Sequence, residues 1–220
     1  MNLPDLALAP KISEGLMPFA IQINLAETPA MNKLWEYIST AKNDPVSLKS
    51  SLVGNISSSL VLQDTDNWFF ENICFPLITE YRTAIDTLNI RPFFSQIVFK
   101  NKIDFVLQDL WVNFQKQHEF NPMHNHTGLW SFVIFMKIPY DWREQYEIPF
   151  IKESGDPRAG NFEFVYSDAM NHIRTYAYKL DSSSEGTMVF FPADMNLQVF
   201  PFYNCEEERI SISGNIAYDG

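Results

Sequence analysis

Two histidines two residues apart, His124 and His126, are the side chains of this sequence best suited to holding a metal ion. Residues two apart on an extended strand point to the same face, so both imidazoles would converge on one point if this segment is extended. The alternative is a pair of solvated histidines in a loop after Asn121 and Pro122. Residues 129–139 form a continuous apolar run rich in β-branched and aromatic residues, which favours a buried strand with the two histidines at its mouth.

A second candidate site is the strand-like run 206–215 near the C-terminus, EEERISISGN. Alternation places Arg209 and Ser211 on one face of this strand and the two isoleucines on the other. An arginine with a hydroxyl beside it is suited to binding an anion, because the guanidinium grips a carboxylate through two parallel hydrogen bonds. A half-exposed strand with its polar face in water explains the same alternation.

The elements that must position these residues are eight strand-like runs in the second half of the chain. They are residues 97–99, 105–115, 129–139, 161–166, 174–180, 186–192, 197–203 and 209–218. Another strand is predicted over 17–25, and amphipathic helices are predicted over 31–43 and 67–89. Helices followed by many short strands indicate an α+β fold, a β-sandwich or barrel with the helices on one outer face.

Local signals add detail to this layout. The apolar stripe of the first helix is predicted to contain Leu34, Trp35, Ile38 and Ala41. Asp66 is the expected N-cap of the second helix, and Pro76 should kink that helix or start it anew. No linker rich in Gly and Ser divides the chain. We therefore expect one domain over residues 1–220, with the β core in 97–220 and a supporting strand and helices in 1–96.

Composition and charge argue against several classes of function. The net charge of −11 and the pI near 4.7 disfavour binding to nucleic acid or to an anionic membrane, which requires a basic face. Cys74 and Cys205 are too few for a disulfide scaffold, which suggests a reducing cytoplasm. The N-terminus has no signal-peptide pattern, and no run approaches the ~20 apolar residues of a membrane span. The expectation is a cytoplasmic protein without nucleic-acid or membrane partners.

In chain order the sequence contains the HxH pair, a buried strand, GTMVFFP at residues 186–192 and the strand with Arg209 and Ser211. Over residues 111–215, about half of the chain, it resembles the Fe(II)- and 2-oxoglutarate-dependent oxygenases, most of all the small stand-alone oxygenases of bacteria and phages. The resemblance implies a double-stranded β-helix (jelly-roll) core with N-terminal helices packed on the outer face of one sheet. It also implies a hydroxylase-type dioxygenase that couples substrate oxidation to decarboxylation of 2-oxoglutarate.

The resemblance further assigns roles to residues. It makes His124 and His126 the catalytic pair and the first two iron ligands. Arg209 would bind the distal carboxylate of 2-oxoglutarate, with Ser211 assisting. The cofactors implied are Fe(II) and the co-substrate 2-oxoglutarate, and the implied partner is a small-molecule or peptidyl substrate.

Leu197 departs from the family pattern. The family segment FPxxxxHxVxP carries the last metal ligand, and the corresponding FPADMNLQVFPF here has Leu197 in place of that histidine. Alternation puts Asn196 and Gln198 on the other face, so neither can substitute. His118 could reach the site from the loop before the HxH pair, and His172 only by an accident of the fold. Two hypotheses follow: an oxygenase with a weakened two-histidine site, or a jelly-roll binding or structural protein that has lost competent metal binding.

Two other segments are candidates for the surroundings of the site. Asp109, Trp111 and Asn113 share strand parity near the HxH pair, and they would either line the pocket or fill the barrel. The irregular stretch 140–160 contains four aromatic residues and is either a lid or an ordered surface loop.

Overall fold

The fold of the chain consists of two antiparallel β-sheets with helices on one side. A computed structural model describes residues 11–12, 20–87, 104–168 and 170–219. Its strands are β1 (Lys11–Ile12), β2 (Ile21–Asn24), β3 (Ser58–Val61), β4 (Phe105–Gln115), β5 (Asn121–His124), β6 (Trp130–Lys137), β7 (Phe162–Ser167), β8 (Ile173–Tyr178), β9 (Thr187–Pro192), β10 (Asn196–Val199) and β11 (Arg209–Tyr218). Its α-helices are α1 (Pro29–Asn43), α2 (Phe75–Thr87), α3 (Trp142–Tyr146) and α4 (Pro149–Lys152).

The larger sheet has seven strands in the order β1-β2-β9-β6-β11-β4-β3, and the smaller one has four in the order β5-β10-β7-β8. Within the described ranges, the predicted strands are found close to their expected bounds, and β4 and β11 match them at both ends. The run 97–99 lies outside the described residues. Strand β5, which carries His124, is an edge strand of the smaller sheet. The α+β prediction is confirmed.

The helices pack on the outer face of the seven-stranded sheet, as predicted. Leu34 and Ile38 of α1, Leu77 and Ile78 of α2 and Ile212 of β11 belong to one buried apolar cluster. The buried stripe of α1 consists of Ala30, Leu34, Ile38 and Ala41. The prediction that Trp35 lies on this stripe is wrong, because the stripe follows the spacing of four residues and leaves Trp35 37% exposed.

The start of the second helical segment differs from the prediction. A π-helical turn, Phe70–Cys74, precedes α2, and Pro76 is the second residue of α2. The carboxylate of Asp64 accepts hydrogen bonds from the backbone N–H groups of Phe69 and Phe70 at 3.0 and 2.8 Å. From the backbone of this segment, the carboxylate of Asp66 accepts a single long bond of 3.4 Å, from the N–H of Trp68. The main cap is therefore Asp64, two residues before the predicted one.

A second apolar cluster fills the space between the two sheets. It joins Phe135 of β6 and Phe191 of β9 to Phe164 of β7 and Leu197 of β10. Cys74 is fully buried, in the cluster under the helices. The expectation of one domain with its core in 97–220 stays a prediction, although β2 and β3 add strands from the N-terminal part to the larger sheet. Across the described ranges, no helix has the length and apolar character needed to cross a membrane.

Candidate functional site

A cavity of about 150 Å³ lies between the two sheets and contains the residues singled out by the sequence. Strands β4, β5 and β11 supply most of its polar lining, and β10 adds Leu197 and Val199. The segment before β3 closes one side. The residues considered below that line it are Trp111, Asn113, Gln115, Asn121, His124, His126, Leu197, Arg209, Ser211, Ser213 and Asn215. The structure therefore brings both histidines, the arginine and the serine of the sequence analysis into one cavity.

His124 and His126 lie side by side in this cavity. Their ring centroids are 5.4 Å apart and their planes differ by 20°. The ring of His126 also contacts Trp111, with centroids 5.7 Å apart, and Phe191, with centroids 5.8 Å apart. His124 is the last residue of β5, and the stacked rings show that its side chain and that of His126 lie on the same side of the chain.

The hydrogen bonds of the two imidazoles define their tautomers. Nδ1 of His124 lies 2.7 Å from the carbonyl oxygen of Pro122. A carbonyl oxygen can only accept, so this Nδ1 carries the proton. Nδ1 of His126 lies 3.1 Å from Oδ1 of Asn215, which is likewise an acceptor. In both rings Nε2 is therefore the unprotonated nitrogen, which is the form that binds a metal.

Both histidines are held neutral. Burial, together with the neighbouring His124, lowers the pKa of His126 to about 4, although its hydrogen bond to Asn215 acts in the opposite direction. Burial also lowers the pKa of His124, against the effect of its bond to Pro122. Because it is unfavourable to remove an imidazolium from water, both histidines are neutral in this cavity.

Arg209 is a buried cation at the other end of the polar lining, and only 4% of it is exposed. Nη1 donates to the hydroxyl of Tyr140 at 2.8 Å and to the carbonyl of Gly160 at 3.2 Å, and Nη2 donates to Oε1 of Gln115. All three acceptors are neutral. In the part of the chain that the structure describes, no carboxylate forms an ion pair with Arg209.

The partners of Arg209 are themselves fixed. The hydroxyl of Tyr140 donates to the Gly160 carbonyl at 2.6 Å, and burial raises the pKa of Tyr140, so the hydroxyl keeps its proton. Nε2 of Gln115 donates to the carbonyl of Glu119 at 2.6 Å, which turns Oε1 toward the guanidinium. These bonds hold the side chain of Arg209 in one place, and among the described residues no carboxylate balances its charge.

Leu197 occupies the position expected from the sequence. It pairs directly with His124 across strands β5 and β10, lines the cavity and is 3% exposed. Asn196 is exposed, and Gln198 donates to the carboxylate of Glu163 at 3.2 Å. Among the described residues, no group of three His, Cys, Asp or Glu side chains could hold a metal ion.

The other two histidines lie away from the lining. His118 is in the turn after β4, where its ring contacts Tyr203 with centroids 5.1 Å apart. His172 is 3.3 Å from the carboxylate of Asp168 in the turn between β7 and β8. The stretch 140–160 contains α3 and α4, and none of its residues lines the cavity. Tyr140 and Gly160, at its two ends, contact Arg209.

Several residues of the site were missed from the sequence. Ser213 and Asn215 continue the alternation that starts at Arg209, so strand parity alone could have found them. Of the three residues of β4 that the sequence did single out, Trp111 and Asn113 line the cavity. The third, Asp109, lies behind Asn215, whose Nδ2 donates to it at 3.0 Å. Tyr140 and Gly160 had no local signal, because they reach Arg209 only through the tertiary fold.

Comparisons with known proteins agree with this geometry. Residues 109–215, about half of the chain, match a family model described as "Putative 2OG-Fe(II) oxygenase", so this part of the chain is similar to the 2OG-Fe(II) oxygenases. A prolyl-4-hydroxylase from Pseudomonas putida superposes with a TM-score of 0.51 at 13% identity, covering 91% of this chain and 93% of that one. At this identity the likeness concerns the fold alone, which is the double-stranded β-helix of these oxygenases.

A second solved structure is less similar. A prolyl hydroxylase from Trichoplax adhaerens, in complex with a hypoxia inducible factor peptide fragment, has a TM-score of 0.43 at 12% identity over 90% of this chain and 82% of that one. A search of curated proteins found no match.

The side chains around the cavity match the groups that the family implies, with one exception. The buried guanidinium of Arg209 suits a carboxylate of 2-oxoglutarate, and Ser211 lines the cavity nearby. Two neutral imidazoles with free Nε2 atoms suit Fe(II). The exception is Leu197, whose apolar side chain has no donor atom for a metal where the family pattern has a histidine.

Proposed function

We propose that the protein is a 2-oxoglutarate- and Fe(II)-dependent oxygenase of the hydroxylase type with a two-histidine metal site. The observation that carries this proposal is the buried charge of Arg209, which has no carboxylate partner in the described chain and lines the same cavity as His124 and His126. An uncompensated buried cation is costly, and an anionic ligand removes that cost.

Arg209 is suited to receive one carboxylate of 2-oxoglutarate. A guanidinium has five N–H groups, and three of them bind Tyr140, Gly160 and Gln115. The N–H of Nε and one N–H of Nη2 remain for the ligand, which is the number that a bidentate carboxylate requires. Ser211, two residues along β11 and also in the cavity lining, offers a hydroxyl to the same ligand.

His124 and His126 would hold Fe(II) through their Nε2 atoms. With 2-oxoglutarate bound, the metal supplies activation of O₂ and oxidation of an unactivated C–H bond. The chain contributes an apolar lining that excludes water from this site, since Phe135, Phe191 and Leu197 line the cavity. Exclusion of water there strengthens the attraction between Arg209 and a carboxylate. With Leu197 in the ligand position, that strand would offer no donor atom to a metal held by the two histidines.

The charges of the lining residues also indicate what kind of substrate group can enter the cavity and react. Apart from Arg209 and the two neutral histidines, its residues carry no ionisable side chain that charges at neutral pH. The reacting portion of a small-molecule or peptidyl substrate should therefore be neutral, since a charged group would be desolvated there without a partner.

The first test measures 2-oxoglutarate binding by calorimetry in the parent and in Arg209→Ala. A charge-assisted hydrogen-bonded pair contributes about 1.5–3 kcal/mol, so the variant should bind about 10- to 100-fold more weakly. Arg209→Lys keeps the charge but lacks the planar fork, and its affinity should fall between the two. Arg174→Ala is the matched control, because Arg174 is exposed and pairs with Asp168 at 2.9 Å on the surface. Equal affinity in the parent and Arg209→Ala would reject the assignment.

A second candidate function is favoured by Leu197: a protein that binds 2-oxoglutarate without redox chemistry. Anaerobic titration with Fe(II) and 2-oxoglutarate separates the two. The oxygenase should develop the weak visible charge-transfer band of a chelated complex and should form succinate when O₂ is admitted. A protein of the second kind binds 2-oxoglutarate equally well with and without Fe(II) and gives neither signal.

A further inference from the structure

Asn215 uses every hydrogen-bonding position of its side-chain amide. Its Oδ1 accepts from the hydroxyl of Ser131 at 2.9 Å and lies 3.1 Å from Nδ1 of His126. Its Nδ2 donates to Oδ2 of Asp109 at 3.0 Å and lies 3.2 Å from Oγ1 of Thr127. The residue is buried, with 6% of its surface exposed. A buried amide with two donors and two acceptor positions filled has one defined orientation.

Asp109 decides which orientation that is. A carboxylate only accepts hydrogen bonds, so the NH₂ group of Asn215 must face Asp109. The opposite orientation would place the amide oxygen against the carboxylate and leave both without a donor. Oδ1 therefore faces His126, and the ring of His126 must donate from Nδ1.

We propose that Asn215, oriented by Asp109, is a positioning residue that fixes His126 as the Nδ1–H tautomer and keeps the lone pair of Nε2 available to a ligand. The metal-binding consequence rests on the proposed function, whereas the tautomer does not. His124 obtains the same tautomer from the carbonyl of Pro122, two residues away. For His126 the acceptor comes from β11, 89 positions along the chain. Such outer partners orient metal-binding histidines and raise their basicity.

The direct test is nuclear magnetic resonance of the metal-free protein with ¹⁵N-labelled histidine at pH 7.5. Long-range ¹H–¹⁵N spectra distinguish protonated from unprotonated ring nitrogens, and only four histidines contribute signals. The parent should have Nδ1 protonated in both His124 and His126. In Asn215→Leu, His126 should lose this single tautomer while His124 keeps it. An unchanged His126 tautomer in Asn215→Leu would overturn the proposal.

Two further variants separate positioning from a merely structural role. The single variant Asn215→Asp places two carboxylates together. The double variant, which combines Asp109→Asn with Asn215→Asp, restores one hydrogen-bond donor and one acceptor at these two positions. The double variant should recover the His126 tautomer, since Asp at 215 still accepts from Nδ1. Ser131→Ala is the control, because it removes another hydrogen bond to the same Oδ1 without touching His126. Loss of the tautomer in Ser131→Ala as well would mean that general packing, not Asn215, sets it.

The second readout is Co(II) affinity in the presence of 2-oxoglutarate. Loss of an outer-shell partner costs about 10- to 100-fold in metal affinity, so Asn215→Leu should bind Co(II) more weakly by that factor and the exchanged double variant should recover. Unchanged Co(II) affinity alongside an altered tautomer would overturn the link between the two. If the parent itself binds no Co(II) but the tautomer results hold, the proposed function fails and the assignment of Asn215 to the His126 tautomer stands.

Discussion

At the scale of single residues, the candidate site combines groups that fit one chemistry with one residue that does not. The neutral imidazoles and the buried guanidinium face the same cavity, and their hydrogen-bond partners hold them in defined forms. Leu197 stands directly opposite His124 and offers no donor. The apolar side chain of Leu197 fits the cluster between the sheets. If the proposed metal site is right, its effect is on coordination and not on packing.

Replacing Leu197 by histidine should therefore repair the metal site. Leu197→His adds a third imidazole at the cavity, and we expect Fe(II) to bind about tenfold more tightly or better. Consumption of 2-oxoglutarate without substrate should rise as well. Both are measured in the parent and the variant under identical iron and ascorbate.

The control for this experiment is Asn196→His, which adds a histidine to the same strand on its exposed face. It should change neither iron affinity nor turnover. If the parent already binds iron as tightly as Leu197→His, another group completes the site. His118 would then have to move from its contact with Tyr203.

At the scale of elements, the start of the second helical segment depends on one carboxylate. Asp64 accepts from two backbone N–H groups and also from the hydroxyl of Tyr37 at 2.6 Å. It therefore ties α1 to the segment that continues into α2. Negative charge at this end also complements the helix dipole. Asp66, by contrast, pairs with Lys33 at the surface.

Asp64→Ala should destabilise the protein by about 1–2 kcal/mol, the usual effect of losing an N-terminal cap. The free energy of unfolding in urea measures it. Asp66→Ala is the control and should have a much smaller effect, because exposed ion pairs contribute little. If Asp66→Ala lowered the free energy of unfolding more than Asp64→Ala does, Asp66 would be the main cap, as the sequence predicted.

At the scale of the whole molecule, β11 joins the apolar cluster under the helices to the cavity between the two sheets. One face of it carries Ile210, Ile212 and Ile216 into the cluster under the helices. The other face carries Arg209, Ser211 and Asn215 into the cavity. The strand lies between β6 and β4 in the larger sheet, so a change in its packing reaches both sides of the molecule.

Gly214→Ala tests this connection. A Cβ at Gly214 would lie 2.5 Å from Cζ of Phe132 and 2.8 Å from the backbone oxygen of Asp109. Because overpacking in a core costs about 1–3 kcal/mol, the variant should unfold at a lower temperature. It should also bind 2-oxoglutarate more weakly, as Arg209 lies on the same strand. Gly155→Ala is the control, since nothing lies within 4 Å of a Cβ there. Equal melting temperatures for the two variants would contradict the prediction.

The sequence by itself determined the strands and the two faces of β11. Alternation and apolar runs are local properties of the chain, and they predicted β4 and β11 at both ends and the parity of Arg209 with Ser211. The sequence also predicted that Leu197 stands where the family has its last ligand, and this assignment stays a prediction. The sequence misplaced the helix cap, because the backbone N–H groups of Phe69 and Phe70 donate to Asp64, an arrangement that the sequence pattern does not show.

Only the tertiary structure decided which groups support the site. Arg209 binds Gln115 across 94 positions and Tyr140 across 69. His126 meets Asn215 across 89 positions, and Asn215 meets Asp109 across 106. Such contacts depend on the register between strands that are distant in the chain. Local periodicity determines which face a side chain lies on, and the pairing of the strands determines which partner it contacts there.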